Sequence, residues 1–496
     1  MRPARNRLIG LATALVVAAV LSGCAVGPDF KRPAAPAARN YGSAPLQGET
    51  SSAPGTAGNA QRLVLGTDIP GEWWTLFRSE KLDRLVQQSF KANPNIGAAR
   101  AALRQAHELY AAQRAALFPT VQGNLTATRA ENPTGTLANP TTLPQVSPYY
   151  NLYTAGITVS YLPDVFGLTR RTLEAAQAQA ESSRFQLEAT YVTLSSNVVV
   201  TAIQEAALRG QIAATERLLE LQRQLTETVR QQKALGTVSN LDMLAQESAL
   251  AQTAATLPPL SKQLGQTRDA LTALLGRLPA EEPEETFVLA ELTLPGELPV
   301  SLPSKLVEQR PDVRQAEANL HAAAAASGVA LASMLPQLTI TADMGSSALS
   351  FSNLFRAGSA FWDAGASLSE TLFDAGALLH RHRAADAALD EAAEQYRAAV
   401  ILACQNVADS LKALAADADA LKASAEANRA AQATFEVAQQ QLKLGTVSLV
   451  TVLNAEQTYQ QAELALVQAQ ANRYSDTAGL FQALGGGWWN RPQGGA

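Results

Sequence analysis

Charge is scarce in this 496-residue chain: Asp, Glu, Lys and Arg together make up 17% of it, below the usual quarter. A net charge of −5 and 6% aromatic residues leave no basic, base-stacking surface of the kind nucleic acid requires. With two cysteines there is no disulfide scaffold, and the four histidines show no zinc spacing with them. Gly-rich phosphate loops, nucleophile elbows and paired catalytic carboxylates are also missing, so neither an enzyme nor a bound cofactor is expected. Proline is absent from two long stretches, 168–234 and 377–443. After the first 23 residues, no apolar run reaches the roughly 18 residues of a transmembrane helix.

What is present begins with an address. Arg2, Arg5 and Arg7 precede an apolar run from Leu8 to Leu21, too short to span a bilayer and of the right length for a secretory leader. The run ends in Leu21-Ser22-Gly23-Cys24, which resembles a bacterial lipobox. That resemblance implies cleavage before Cys24, acylation of its thiol and amino group, and, with Ala25 rather than Asp next, sorting to the outer membrane. Several acyl chains hold where one would not.

The middle of the chain is duplicated. Asn93-Pro94-Asn95-Ile96 matches Arg310-Pro311-Asp312-Val313, and Leu235-Gly236-Thr237-Val238-Ser239 recurs unchanged as Leu444-Gly445-Thr446-Val447-Ser448. Each half, on either side of a Pro/Glu-rich linker, reads helix, hairpin, long helix, helix. Residues from Glu80 to Phe118 form an alanine-rich helical run that stops at Pro119. Then the period falls to two: Val121, Gly123, Leu125 and Ala127, and later Tyr153, Ala155, Ile157, Val159 and Tyr161, alternate with polar residues. In the second half Leu338, Ile340, Ala342 and Met344, then Trp362, Ala364, Ala366 and Leu368, do the same. Such strands suit a transmembrane barrel, and equally a pair of half-buried soluble hairpins. Four strands cannot close a barrel, so a membrane reading requires two, three or four chains to share one.

The proline-free runs Leu168–Ala234 and Ala377–Lys443 predict helices of about 100 Å. On the helix returning after the second Leu-Gly turn, Val450, Leu453, Gln457, Gln460, Leu464, Val467, Ala471 and Tyr474 form one seam. Val452, Ala455, Tyr459, Ala462, Leu466 and Ala469 form another, as in a wall of helices packed on both flanks. Gly236 and Gly445 suit left-handed helix ends, and Ser239 with Asp242 reads as an approximate capping box. The turns are thereby explained as αα-connections; the alternative is that their exposed Leu, Thr and Val residues meet a partner.

Several residues offer little chemistry. His380 and His382 point about 200° apart if helical, and share a face only if the chain is extended there. His107 and His321 stand singly, Cys404 reads as a buried small apolar residue, and Glu281 to Glu285 as a solvated linker.

Taken in order, Cys24-Ala-Val-Gly-Pro-Asp-Phe-Lys-Arg-Pro33, Trp73-Trp74-x-x-Phe77 with Leu82 and Leu85, Ala116-Leu117-Phe118-Pro119, the paired turns with Leu453 to Gln457, and the closing Ala483 to Trp488 resemble one family. It is the outer membrane factors of tripartite efflux systems, TolC-like lipoproteins of the NodT branch. The resemblance implies a mainly α fold with a transmembrane β-barrel: a homotrimer with twelve strands, four per chain, on a coiled-coil α-helical tunnel. It implies an outer-membrane, lipid-anchored exit duct for small toxic solutes. A periplasmic membrane fusion (adaptor) protein would dock at the helical tips, Leu235 to Ser239 and Leu444 to Ser448, and an inner-membrane transporter of RND type would supply the energy. The family's periplasmic gate maps onto Val450, Thr451 and Asn454, where its frequent aspartate is replaced by Asn454; Asp242 could supply some charge, and an apolar iris at Val450 is the expected closure.

The expected organisation is a lipoprotein signal peptide at 1–23, a lipidated extended segment at 24–72, a first repeat at 73–278 with its hairpin near 120–163, and a linker at 279–302. A second repeat at 303–487, with its hairpin near 337–373, and a tail at 488–496 complete it. The rival readings are a periplasmic coiled-coil lipoprotein acting as a spacer, and a duct for protein secretion.

Overall fold

In the computed structural model the described residues are 25–38, 40–42, 48–131 and 149–491. The leader and Cys24 lie outside them. Contacts divide the chain into two units. The first comprises Met1–Arg32, Arg104–Ser182 and Glu317–Gln395; the second comprises Pro33–Leu103, Ser183–Ala316 and Tyr396–Ala496.

In chain order the elements are β1 (Arg62–Leu65), α1 (Glu80–Ala92), α2 (Pro94–Ala115), β2 (Thr120–Glu131), β3 (Tyr149–Tyr161) and α3 (Leu168–Ala234). Then come α4 (Asn240–Ala254), α5 (Leu257–Leu274), β4 (Glu297–Val300), α6 (Pro303–Gln309) and α7 (Pro311–Ala332). The last are β5 (Gln337–Ala348), β6 (Ala360–Ser369), α8 (Ala377–Lys443) and α9 (Leu449–Ala483). The helix expected from Glu80 to Phe118 is two helices. Pro94 has no N–H to donate and forces Asn93 into an extended conformation, with ψ at 124°. Asn93 then caps the new start, its Oδ1 accepting from Asn95 N at 2.9 Å.

The first unit holds a four-stranded antiparallel sheet in the order β2-β3-β5-β6. Its register aligns the apolar alternation across all strands: Gly123 faces Ile157, Ile157 faces Met344, and Met344 faces Trp362. The neighbouring row is Gln122, Thr158, Asp343 and Asp363, in which the Thr158 hydroxyl donates to Asp343. A strap at residues 25–32 is fastened to the same unit by Arg171, whose side chain is 5% exposed. Its guanidinium donates to Val26 O at 3.1 Å, Gly27 O at 3.3 Å and Asp29 Oδ1 at 2.7 Å. Gly27 has φ +96°, and a Cβ there would fall 2.4 Å from Gly328 Cα, so only glycine lets the strap come this close. Phe30 stacks on His321 at 4.4 Å, and His321 Nε2 lies 2.9 Å from Glu174 Oε1. His321, which stands singly in its helical run, is thus part of a fastening.

The second unit is organised on aromatic residues. Trp73, Trp74 and Phe77 are buried, Trp73 stacks on Phe481 at 5.3 Å, and the Trp74 indole donates to Asp83 Oδ1 at 2.8 Å. Burying a side chain of this size contributes about 4–6 kcal/mol before ordering costs. Arg473, fully buried, donates to Ala57 O, Asn59 O and Thr50 Oγ1 at 2.7–2.9 Å. The linker is more than a solvated run. Arg268 binds Glu282, the carbonyls of Pro283 and Glu285, and the buried Glu205, while β4 pairs in parallel with β1.

Both long helices span the residues expected of them. One 18-residue stretch of α8 passes as a membrane span by length and average composition alone, without forming a continuous apolar run. Alanine raises that average while polar residues remain interspersed, which is why no continuous run was visible. Return paths differ between the halves. Pro258 and Pro259 stand in the first turn of α5 and separate it from α4, whereas α9 runs unbroken for 35 residues.

Candidate functional site

The repeated LGTVS segments form two tips of nearly identical backbone, both in the second unit. Gly236 and Gly445 take φ +76° and +71°, and a Cβ on either would meet open space, so the left-handed conformation alone calls for glycine. Thr237 N and Thr446 N each reach back at 3.0 Å to the carbonyls of Gln232 and Gln441. Thr237 Oγ1 and Thr446 Oγ1 donate to those same carbonyls at 2.9 and 3.1 Å. Leu235 and Leu444 are left 80% and 78% exposed. Val238 and Val447 instead lean onto a small core of Leu225, Val229, Met243, Phe435, Leu449 and Val452. Only part of each turn therefore faces outward.

Helix starts after the tips differ. Ser239 and Asp242 form a complete capping box: Asp242 N donates to Ser239 Oγ at 3.1 Å and Ser239 N to Asp242 Oδ2 at 3.0 Å. These bonds hold the Asp242 carboxyl below its ordinary value, and it stays charged. Ser448 makes no such cap; its hydroxyl lies 3.2 Å from Thr451 Oγ1. Val450, Thr451 and Asn454 are exposed on one face of α9, while Asp242 stands on α4 and is engaged with Ser239. The first three share one helix, and Asp242 belongs to another whose Met243 packs with Leu449 and Val452. In the seam that begins at Val450, Val450 and Gln457 are exposed and Leu453 leans half-buried on the small core, whereas Val452 and Ala455 of the second seam are buried.

Sequence reasoning missed other groups. Asp164 and Asp374 each cap a long helix, accepting from Thr169 N and Arg170 N, and from Gly376 N and Leu378 N, at 2.7–3.0 Å. An aspartate two or three residues before a glycine at a helix start was the available signal. A second omission is Glu456, 2% exposed on α9, whose carboxyl is pushed up to about 7 by burial. Cys404 is half-buried rather than buried, and partial burial pushes its thiol up. His380 and His382 both lie on α8, and His382 faces Asp386 at 3.5 Å. Among the described residues no group of three metal-ligating side chains occurs.

In the sheet, β2 and β6 each pair on one side only among the described residues, and Leu125, Met344 and Trp362 are 62–80% exposed on its apolar face. A sheet with two open edges and an exposed apolar face, in a chain with two 67-residue helices and matched tips, has the build of an outer-membrane channel protein.

Comparison with known proteins agrees. The family model described as outer membrane efflux protein matches residues 85–277 and 302–486, once in each half, and the chain belongs to that family. It is 29% identical over 434 residues to the pyoverdine export outer membrane protein OpmQ of Pseudomonas putida, covering 87% of this chain and 90% of that one. To the toluene efflux pump outer membrane protein TtgI of the same species it is 28% identical, covering 95% and 96%. The solved outer-membrane channel OprN superposes with a TM-score of 0.82 at 27% identity, covering 93% of this chain and 99% of that one. The Campylobacter jejuni CmeC outer membrane channel shares the fold, with a TM-score of 0.84 at 21% identity over 94% and 95%. The protein is therefore a TolC-like outer-membrane channel of an efflux system, and the spacer-lipoprotein reading falls away.

Proposed function

We propose that three copies share one twelve-stranded barrel and one helical tunnel, forming a passive duct for small toxic solutes. The observation that carries this is the four-stranded sheet with unpaired edges at β2 and β6. In lipid each unsatisfied backbone group costs several kcal/mol, so β6 of one copy must find β2 of the next. Two, three or four copies would supply eight, twelve or sixteen strands, and twelve from three copies is what the family resemblance implies.

Within this reading the two repeats, 73–278 and 303–487, are joined at 279–302, and the segment from Cys24 to residue 72 is the lipidated extension. The tips at Leu235–Ser239 and Leu444–Ser448 dock a periplasmic adaptor through their outward Leu and Thr side chains. Val450, Thr451 and Asn454 line the closure, as an apolar and amide ring, with Asp242 as a flanking charge. An inner-membrane transporter of RND type powers export. Small-molecule cargo is favoured over protein because OpmQ and TtgI are named for pyoverdine export and toluene efflux.

The test is the protein mass of the detergent-purified complex, by light scattering corrected for detergent, followed by single-channel recording. Three chain masses with stable conductance is the expected result. A monomer after gentle extraction would overturn the shared barrel.

A further inference from the structure

Just beyond the small core under the tips lies a layer of buried polar groups that nothing in the channel reading uses. Glu456 of α9, Gln246 of α4 and Gln222 of α3 are 2%, 0% and 3% exposed. Both carboxyl oxygens of Glu456, both amide atoms of Gln246 and the Gln222 Oε1 have no hydrogen-bond partner. The Gln222 amide nitrogen is committed to Thr253 Oγ1 at 2.9 Å. The helices carrying this layer are packed together: Arg217 and Gln211 of α3 bond to Glu463 and Gln468 of α9, and residues of α3, α4, α8 and α9 share the adjacent core.

A carboxylate in such a place is costly, because a buried charge without partners loses its hydration and gains nothing. We propose that Glu456 is a protonated latch: as a neutral acid it lets α9 pack against α3 and α4 beside the second tip, and release of its proton to solvent drives that layer apart and admits water. No neighbouring charge relieves it. Gln222 favours its charged form, but burial outweighs that contribution. Glu220 and Arg223 on α3, Glu247 on α4 and Glu436 on α8 are exposed, and Glu463 on α9 pairs with Arg217 at 2.6 Å.

The direction of the pH effect follows from burial. The packed layer raises the carboxyl from its ordinary 4.5 to about 7. Packing is therefore unpenalised at low pH, weakens as pH climbs through that interval, and changes no further above it. Linkage sets the scale at up to about tenfold in the closed-to-open ratio per pH unit. Glu247, the counterpart of Glu456 in the first half, is exposed and carries no such latch.

The experiment compares the intact protein with Glu456→Gln, a neutral side chain of the same size, and Glu247→Gln as control. Amide hydrogen exchange of residues 449–460 is measured between about pH 5 and about pH 8 and corrected for intrinsic rate. The expected result is a loss of protection of about tenfold or more on raising pH in the wild type and in Glu247→Gln, and none in Glu456→Gln. The same pH response in Glu456→Gln, or no response in the wild type, would overturn the latch. Conductance in planar bilayers forms the second arm, and it rests on the channel reading. A rise with pH that Glu456→Gln lacks supports both proposals. Altered exchange in a protein that never conducts upholds the latch and overturns the reading of this end as the channel's closure.

Discussion

The two tips begin from the same five residues and end in different helices. Their turns superimpose in conformation, φ +76° against +71° and the same threonine contacts, because Leu-Gly-Thr-Val-Ser specifies them locally. Beyond the turn the environment decides. The first return has a full capping box, an early break at Pro258 and Pro259, and an exposed Glu247. The second has an uncapped Ser448, an unbroken α9 and a buried Glu456. The first return thus adds a hydrogen-bonded cap to the turn and core that both share, and the second start has none. This difference suits the second return to movement, since packing can be exchanged against another chain whereas a capping box has no substitute.

The comparison can be broken most forcefully at the helix break. Val467 is the second-half counterpart of Pro258, and it packs where a Cβ on Gly210 would meet its Cγ1 at 3.1 Å. Val467→Pro should destabilise the protein by about 3 kcal/mol or more, while Pro258→Ala should change it by less than about 0.5. Thermal unfolding in detergent measures both, and comparable losses would mean that the continuity of α9 is unimportant.

A smaller effect tests what the tips share. Gly236→Ala and Gly445→Ala should each cost about 1–2 kcal/mol through backbone strain, since neither Cβ meets a neighbour. Denaturant midpoints should fall by the same amount for both, and a large inequality would show that one tip is not governed by its turn. Sharper still is the cap. Ser239→Ala should cost about 1 kcal/mol and Ser448→Ala only a few tenths, as Ser448 caps nothing. Local exchange rates at Asp242 and Thr451 distinguish them; equal fraying at both ends would sink the distinction.

The smallest effect is with acid. Asp242 is held below its ordinary 3.8 by Ser239, so its contribution to the first tip is present above that value and disappears as pH falls through the lowered one. Thr451 has nothing to protonate there. Amide exchange below about pH 4 should show the first tip loosening and the second unchanged.

Much of this was readable because it is periodic or local. Alternation at Val121 to Ala127 and its three partner runs marked the strands, and the register joins their apolar positions on one face. The absence of proline bounded α3 and α8, and the Leu-Gly repeats marked the tips. What escaped depends on residues far apart in sequence. The break at Pro94 leaves little trace in the pattern, because helix-forming residues continue on both sides of it and proline is tolerated in the first turn of a helix. Arg268 gathering the linker, and Arg171 fastening the strap, bring together groups whose spacing carries no signal. Glu456 reads as an ordinary surface glutamate until the helices packed around it are placed.

The aromatic core of the second unit has a consequence for when this protein can exist at all. Trp73 rests on Phe481, the Trp488 indole donates to Gln309 O at 2.6 Å, Asn490 reaches Ile69 O at 2.8 Å, and Arg491 binds Glu188 at 2.8 Å. Each contact joins an early or middle segment to the last dozen described residues. A chain delivered with its N-terminus leading cannot complete this core until residues 481–491 arrive. Half-made copies remain unfinished and open to proteolysis, and synthesis itself becomes a checkpoint against defective pores.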